Sequence, residues 1–407
     1  MHDRRRWTIL AVGTFAQAAT CCFLYGIPML VPAFRTDGIS LFGASLLVSA
    51  PMVGLLLTLI AWGAAADRYG ERVVIVTGVG IAAVLIGVAA FVPGTVALGI
   101  LFVLAGAFAA SVNAASGRVV MGWFPVSERG LAMGTRQTAQ PIGVALAALG
   151  LPALAHAYGA HRALLFPAIL CGVAATLVLL LVADPPRPAR AASAPAARSP
   201  YRGSSDLARV HLASAMLVVP QFAVSAFTLV YLVGERGWDP ASAGRMIFGF
   251  QLAGAVGRVV TGVWSDRVRS RLRPMRQLAV ASACLMLLIA VGAATGSVVV
   301  VLAFAVAAVV TVADNGLAYT SVAEFAGRDW SGRALGVQNT VQNLAAVATA
   351  PVLAAVIGDT RYALGFALVA VCPVLAVPLT PLRAERRRSA GQDVAGADVA
   401  AAQVGQQ

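Results

Sequence analysis

Arg136, Arg258 and Asp314 each stand inside a long apolar run. A charge in hydrocarbon costs about 2.5–3.5 kcal/mol on insertion scales, so it is paired, hydrated or used. Counted from Glu128, from Asp266 and from the end of the run holding Asp314, each lies about eight residues in, about 12 Å on a helix rising about 1.5 Å per residue. The three therefore share one layer, where opposite charges satisfy each other only if they face a common interior. Two guanidiniums present planar forks of donors suited to carboxylate-like anions. Asp314 can neutralise one of them, which leaves positive charge for an anionic ligand and makes Asp314 a candidate proton carrier. The competing reading is structural: Arg258 pairs with Asp314 or caps carbonyls, and Arg136 extends towards the membrane surface.

Amides cluster around the same depth. Gln137 and Gln140, and likewise Gln338, Asn339, Gln342 and Asn343, recur at three- and four-residue spacing, which puts them on one side of a helix. Asn113, Asn315, Tyr319, Gln17, Tyr25, Gln221 and Gln251 are further polar positions in apolar runs. They read either as the lining of a substrate cavity, chiefly Asn113, Gln140, Asn315, Tyr319, Asn339 and Gln342, or as hydrogen-bonding glue between helices.

Soluble enzymes are excluded by composition. Of 407 residues 59% are hydrophobic and 12% charged, with mean hydropathy +0.83, against about 25% charged in soluble domains. All 30 basic residues are Arg, so a phosphate-binding loop with its Lys is absent, as are H-E-x-x-H and G-x-S-x-G. The four His are scattered and the five Cys lie in apolar runs, without metal-ligand spacing. Net charge of +13 is spread in short clusters between apolar runs, the pattern of membrane topology rather than of a nucleic-acid face.

What positions these residues is a polytopic helical bundle. A span needs about 20 apolar residues. By that measure about twelve spans run at roughly 8–31, 43–65, 73–92, 96–120, 130–155, 162–183, 208–233, 241–264, 276–295, 297–322, 333–357 and 361–381. The chain divides into a six-helix bundle over 1–183, a Pro/Ala/Arg linker over 184–206, a second bundle over 207–382 and a basic, then disordered, tail over 383–407. The arginine run at the start resembles a signal peptide, but the apolar stretch behind it is long enough to be an uncleaved first span. Arg4–Arg6, Arg68, Arg72, Arg118, Arg129, the linker arginines, those of 267–276, Arg328, Arg333, Arg383 and Arg386–Arg388 fall on one side. Arg35, Arg162, Arg236 and Arg361 fall on the other. The positive-inside rule places both termini in the cytoplasm of a multi-pass cell-membrane protein.

The halves repeat. Gly63-x-x-x-Asp67-Arg68 returns 199 positions on as Gly262-x-x-x-Asp266-Arg267, and Ala132-x-Gly134 through Gln140 returns 202 positions on as Ala334-x-Gly336 through Gln342. Asn113 and Asn315 share the second offset. Duplicated helix bundles of this kind are the architecture of secondary transporters, with the site at the repeat interface. The stretch Gly63-x-x-x-Asp67-Arg68-x-Gly70-x-Arg72 resembles the loop signature of the major facilitator superfamily, and its echo lacks the second Gly. The resemblance covers about 7–382 and implies that superfamily's all-α fold. It also implies gating by Gly63, Asp67, Arg68, Gly70, Arg72, Gly262, Asp266 and Arg267, with Arg118 and Glu324 in the same charge network. It sets the fifth and eighth spans side by side across the interface of the halves. Phe102-Val-Leu-Ala-Gly106 and Ala139-Gln140-Pro141-Ile142-Gly143 depart from the family's antiporter signatures.

The expected protein is thus a secondary transporter, a monomer that moves a small organic anion with a proton, and no cofactor, metal or nucleic acid is expected. Efflux of a lipophilic compound, or a transporter-like sensor or membrane partner that moves nothing, are the alternatives.

Overall fold

The computed structural model describes residues 2–39, 41–184, 199–202, 204–238, 240–327, 329–357 and 361–388. Its α-helices are α1 (His2–Leu24), α2 (Val31–Thr36), α3 (Leu41–Tyr69), α4 (Glu71–Ala89), α5 (Thr95–Trp123), α6 (Arg129–Gln137), α7 (Ala139–Tyr158), α8 (Ala160–Ala163) and α9 (Leu165–Leu181) in the first half. The second half holds α10 (Asp206–Gly234), α11 (Pro240–Arg267), α12 (Leu272–Thr295), α13 (Val299–Ala313), α14 (Asn315–Ala326), α15 (Ser331–Ile357) and α16 (Tyr362–Leu379). They make 12 spans long and apolar enough to cross a membrane, α6–α7, α8–α9 and α13–α14 each forming one. The all-α, twelve-span reading of the sequence is what the chain adopts. Residues 185–198 and 203 of the expected linker, and 389–407 of the expected tail, lie outside the described residues.

Interruptions of the spans have local causes. Pro141 and Pro167 lack an N–H, so the carbonyls four residues earlier, Gln137 and Ala163, lose their helical donors. Each break sits beside one of those carbonyls, at Thr138 and at Leu164. The first span ends at Leu24, earlier than the sequence suggests, and leads into a short 3₁₀ turn, Ile27–Leu30, with Pro28 in its first turn. Gly26 is packed there so closely on Cys22, Ala147 and Leu151 that a Cβ would overlap all three.

Apolar packing shows how the halves relate. Phe23 meets Phe102 edge-on at 5.4 Å in the core of the first half, and Tyr231, Phe304, Phe366 and Tyr362 interlock in that of the second. A third cluster belongs to both: Leu10, Val120, Phe124 and Met133 pack with Leu207, Met275, Leu317 and Leu335. It lies at the end where the chain enters and leaves the bundle. There α3 runs along α15 and α11 along α6, whereas α11 barely meets α7. Among the described residues the contacts that close the halves together gather at that end. Outward-facing aliphatics such as Leu57, Val96 and Leu149, at 75%, 78% and 79% exposure, form the lipid face.

One turn is strained. Gly70 starts α4 at φ 98°, ψ 161°, with the Asp184 carboxylate where a Cβ would project. Its counterpart 199 positions on is Arg269, at φ 50° the one non-glycine with positive φ among the described residues. The positive φ is kept at this position without the glycine, at a steric cost of roughly 1–2 kcal/mol. Arg269→Gly should therefore stabilise the protein by about 0.5–1 kcal/mol, part of the relief being offset by the freer unfolded chain. Thermal unfolding of the purified protein checks this: the Gly variant should melt higher and Arg269→Ala should not.

Candidate functional site

Two carboxylates fasten the closed end, each on the start of a helix from the opposite half. Asp67, at the end of α3, accepts from the amides of Gly332 (3.0 Å) and Arg333 (3.1 Å) in the first turn of α15. Asp266, at the end of α11, accepts from Gly130 (2.9 Å) and Leu131 (2.8 Å) in the first turn of α6. First-turn amides have no partner within their own helix and carry the positive end of its dipole, so an anion there fills an unmet need. An arginine backs each carboxylate: Arg118 bonds Asp67 and, at 2.8 Å, Glu71, while Arg271 bonds Asp266 and, at 3.6 Å, faces Glu324. Arg129 stands 3.5 Å from Glu324.

Glycines let the backbones come this close. A Cβ at Gly63 or Gly332 would strike the other's carbonyl oxygen, and Gly130 and Gly262 stand in the same relation. One turn inward, Gly134 faces the Arg258 carbonyl and Gly336 the Leu59 carbonyl. The gating residues expected from sequence divide accordingly. Gly63, Asp67, Gly262 and Asp266 form the fastenings. Arg68 is exposed over Tyr69, and Arg267 is exposed as well. Gly70 and Arg72 belong to a neighbouring cap, in which the Arg72 amide donates to Asp184 (2.8 Å) and its guanidinium to the Leu179 carbonyl.

Directly inside the fastenings lies the charge layer. Arg136 is 1% exposed and fully engaged without a carboxylate. Its Nε donates to Ser116 Oγ (2.7 Å), Nη1 to Gln137 Oε1 (3.0 Å) and Nη2 to the Asn113 carbonyl (3.1 Å), and its guanidinium stands 5.3 Å from the Tyr319 ring centre. Arg258 donates to the Gln137 carbonyl (2.8 Å), the one that Pro141 leaves without a helical donor. Its Nε is buried without a hydrogen-bond partner, as is Asp314 Oδ2. Among the described residues no carboxylate lies within 4.0 Å of either guanidinium. Both arginines thus converge on one residue, Gln137, through its side chain and its backbone.

Above this floor is a narrow cavity of about 70 Å³ between the halves, room for a few waters rather than a drug-sized ligand. Asn113, Gln140, Asn315, Tyr319, Asn339 and Gln342 all line it, with Gln17, Tyr25, Gln137, Gln221 and Asn343. Arg136, Arg258 and Asp314 do not reach its surface. Tyr319 separates Arg136 from it, its hydroxyl donating to Asn339 Oδ1 (2.7 Å). Gln251 is exposed elsewhere. The wall carries the repeat down to amide pairs: Gln17 Nε2 donates to Asn113 Oδ1 (3.1 Å), and Asn315 Nδ2 to Gln221 Oε1 (3.0 Å).

Sequence reasoning passed over two features. His211, 5% exposed, bonds Tyr201 through Nε2 (2.9 Å) and Gln338 through Nδ1 (2.6 Å). Gln338 and Gln342 both donate to Ser214 (2.6 Å), and Gln342 continues to Asn315 (3.4 Å). A polar chain therefore runs from the closed end to the cavity wall, and a lone His between apolar residues gave no spacing signal. Asp184 and Glu385 also escaped notice, falling in the stretches read as linker and tail. Glu385 accepts from the amides of Arg271 (2.6 Å) and Leu272 (3.0 Å) at the start of α12, as Asp184 does at the start of α4. The 201-residue offset between them was the available signal.

Twelve spans in repeated halves, clasped at one end around a polar cavity at their join, define a multi-pass membrane transporter. Residues 13–351 match the family model of the Major Facilitator Superfamily. An uncharacterized MFS-type transporter of Mycobacterium tuberculosis, found in two strains, is 44% identical over 380 residues, covering 93% of this chain and 85% of the relative. The Escherichia coli fucose:proton symporter superposes with TM-score 0.73 at 17% identity, over 92% of this chain and 98% of its own. A human organic anion transporter gives TM-score 0.69 at 18% identity, over 92% and 99%. The chain belongs to the major facilitator superfamily.

Neutralising both fastenings tests what closes the bundle. A hydrogen bond to a charged group contributes about 1.5–3 kcal/mol, so Asp67→Asn/Asp266→Asn should shift the halves apart at this end. Spin labels at the end of α3 and the start of α15, read by double electron–electron resonance, should show a longer distance in the double variant. An unchanged distribution would assign closure to the shared apolar cluster instead.

Proposed function

We propose that this transporter carries a small, polar organic anion by alternating access, with a proton as coupling ion. The observation that carries this reading is the meeting of Arg136 and Arg258 at Gln137 with no carboxylate in contact. A buried cation is costly unless an anion joins it, and the substrate supplies that anion. Amides and phenols on the cavity wall suit oxygen-rich ligands; a lipophilic compound would leave those groups unpaired. Tyr319 and Asn339 are the elements that shift for Arg136 to reach substrate, since both touch the wall and its guanidinium environment. Asp314 takes the proton: its protonation removes a buried charge without breaking an ion pair. Structural relatives include an organic anion transporter and two proton symporters of sugars, of fucose and of xylose, and amide-rich walls also suit neutral sugars. The arginine distribution assigns the clasped end, with both termini, to the cytoplasm, so tags at residue 195 and at the C-terminus should both report from that side.

Uptake into proteoliposomes tests the anion reading, with a panel of mono- and dicarboxylates, sugar acids and neutral sugars. Arg136→Lys and Arg258→Lys keep the charge but lose the fork, and each should cut anion uptake about 10–100-fold, the equivalent of 1.5–3 kcal/mol. Asp314→Asn should retain binding and lose pH-driven accumulation. Full recovery of transport in Arg258→Gln/Asp314→Asn would reduce that pair to structure. Uptake of a neutral sugar that survives Arg136→Gln would replace the anion by a polyol.

A further inference from the structure

A second pocket, of about 540 Å³, opens at the clasped end on the outside of the second half, between the starts of α10 and α12 and the residues that follow α16. Its lining holds five arginines, Arg209, Arg276, Arg383, Arg387 and Arg388, against one carboxylate, Asp206. That carboxylate is occupied by the Ser204 hydroxyl (2.6 Å). Arg209 donates to the Pro378 carbonyl (2.7 Å) and Arg388 to that of Phe325 (2.8 Å), so neither is neutralised. Among the described residues Arg276, Arg383 and Arg387 have no hydrogen bond or ion pair, and all three are exposed. Five positive charges held around one hollow repel each other unless an anion is present.

The surroundings indicate which anion. Exposed aliphatic side chains lead along the same helices up to the pocket: Leu212 on α10, Val280 on α12 and Val374 on α16. Arg276 stands one turn before Val280, on the same stripe. A soluble anion has no use for apolar tracks, whereas an acyl chain lies along them with its phosphate at the membrane surface. We infer that this pocket binds the headgroup of an anionic phospholipid, its acyl chains lying against α10, α12 and α16. Bound there, the lipid ties together the ends of three spans of the second half, beside the Glu385 cap on α12.

Native mass spectrometry of the detergent-purified full chain, titrated with phosphatidylglycerol or with phosphatidylcholine, tests this. Phosphatidylglycerol should be retained in preference. An arginine near an anionic lipid surface accounts for about fivefold in affinity. Arg276→Gln, Arg383→Gln and Arg387→Gln should thus each weaken phosphatidylglycerol about fivefold, and the triple variant about 100-fold. The charge-matched triple variant Arg202→Gln/Arg269→Gln/Arg273→Gln, outside the pocket, should bind nearly as wild type. Equal retention of the two lipids, or equal loss in the two triple variants, would overturn the assignment. So would displacement of the lipid by inorganic phosphate at matching concentration, which would mark a soluble-anion site.

Discussion

A carboxylate set against the open amides of a helix start is the contact on which this architecture depends. It occurs twice, Asp67 on α15 and Asp266 on α6, and each time it crosses from one half to the other. The geometry is demanding, because an aspartate reaches first-turn amides only if the two backbones nearly touch. Gly63 against Gly332 and Gly262 against Gly130 supply that approach. Once Asp67 and Asp266 are buried they need cations, which Arg118 and Arg271 provide. Closure at this end is thus a set of mutually dependent requirements.

Against this symmetric frame the charge layer is where the halves differ. At the offsets that map Asp67 on Asp266 and Asn113 on Asn315, Arg258 corresponds to Leu59, Asp314 to Val112 and Arg136 to Gln338. Every charge in the layer therefore lacks a symmetric counterpart. Leu59 and Arg258 nonetheless present their carbonyls to Gly336 and Gly134 in the same way. The backbone repeats while the side chains diverge. Duplication accounts for the paired fastenings, and the charge layer is a departure from it. Pro141 connects the two levels, since the carbonyl it frees is the one that receives Arg258.

Much of this was legible in the sequence, for physical reasons. Runs of apolar residues count the spans because hydrocarbon admits little else. The repeat exposed Asp67 and Asp266 because the same contact is made twice. The layer of Arg136, Arg258 and Asp314 was visible because charge in an apolar run has no neutral explanation. What stayed hidden depends on distance through space. The resemblance put Arg68 in the gate with Arg118 in the same charge network, and which of them meets Asp67 is decided through space: it is Arg118, from the fourth span. The structural reading of the layer gave Arg258 either Asp314 or a carbonyl, and distance through space decides for the Gln137 carbonyl. His211 and Ser214 look ordinary one at a time and matter only as links in a chain that ends at Asn315.

If the asymmetric layer selects substrate by charge, discrimination between an anion and its neutral twin is its direct expression. The measurement is competition for uptake in proteoliposomes by matched pairs on one carbon skeleton, a sugar acid against the corresponding sugar alcohol. The account predicts that the acid competes at least about tenfold better, one charge-assisted contact's worth of affinity, and that Arg136→Gln abolishes the difference. Equal competition by acid and alcohol in the wild-type protein would contradict it.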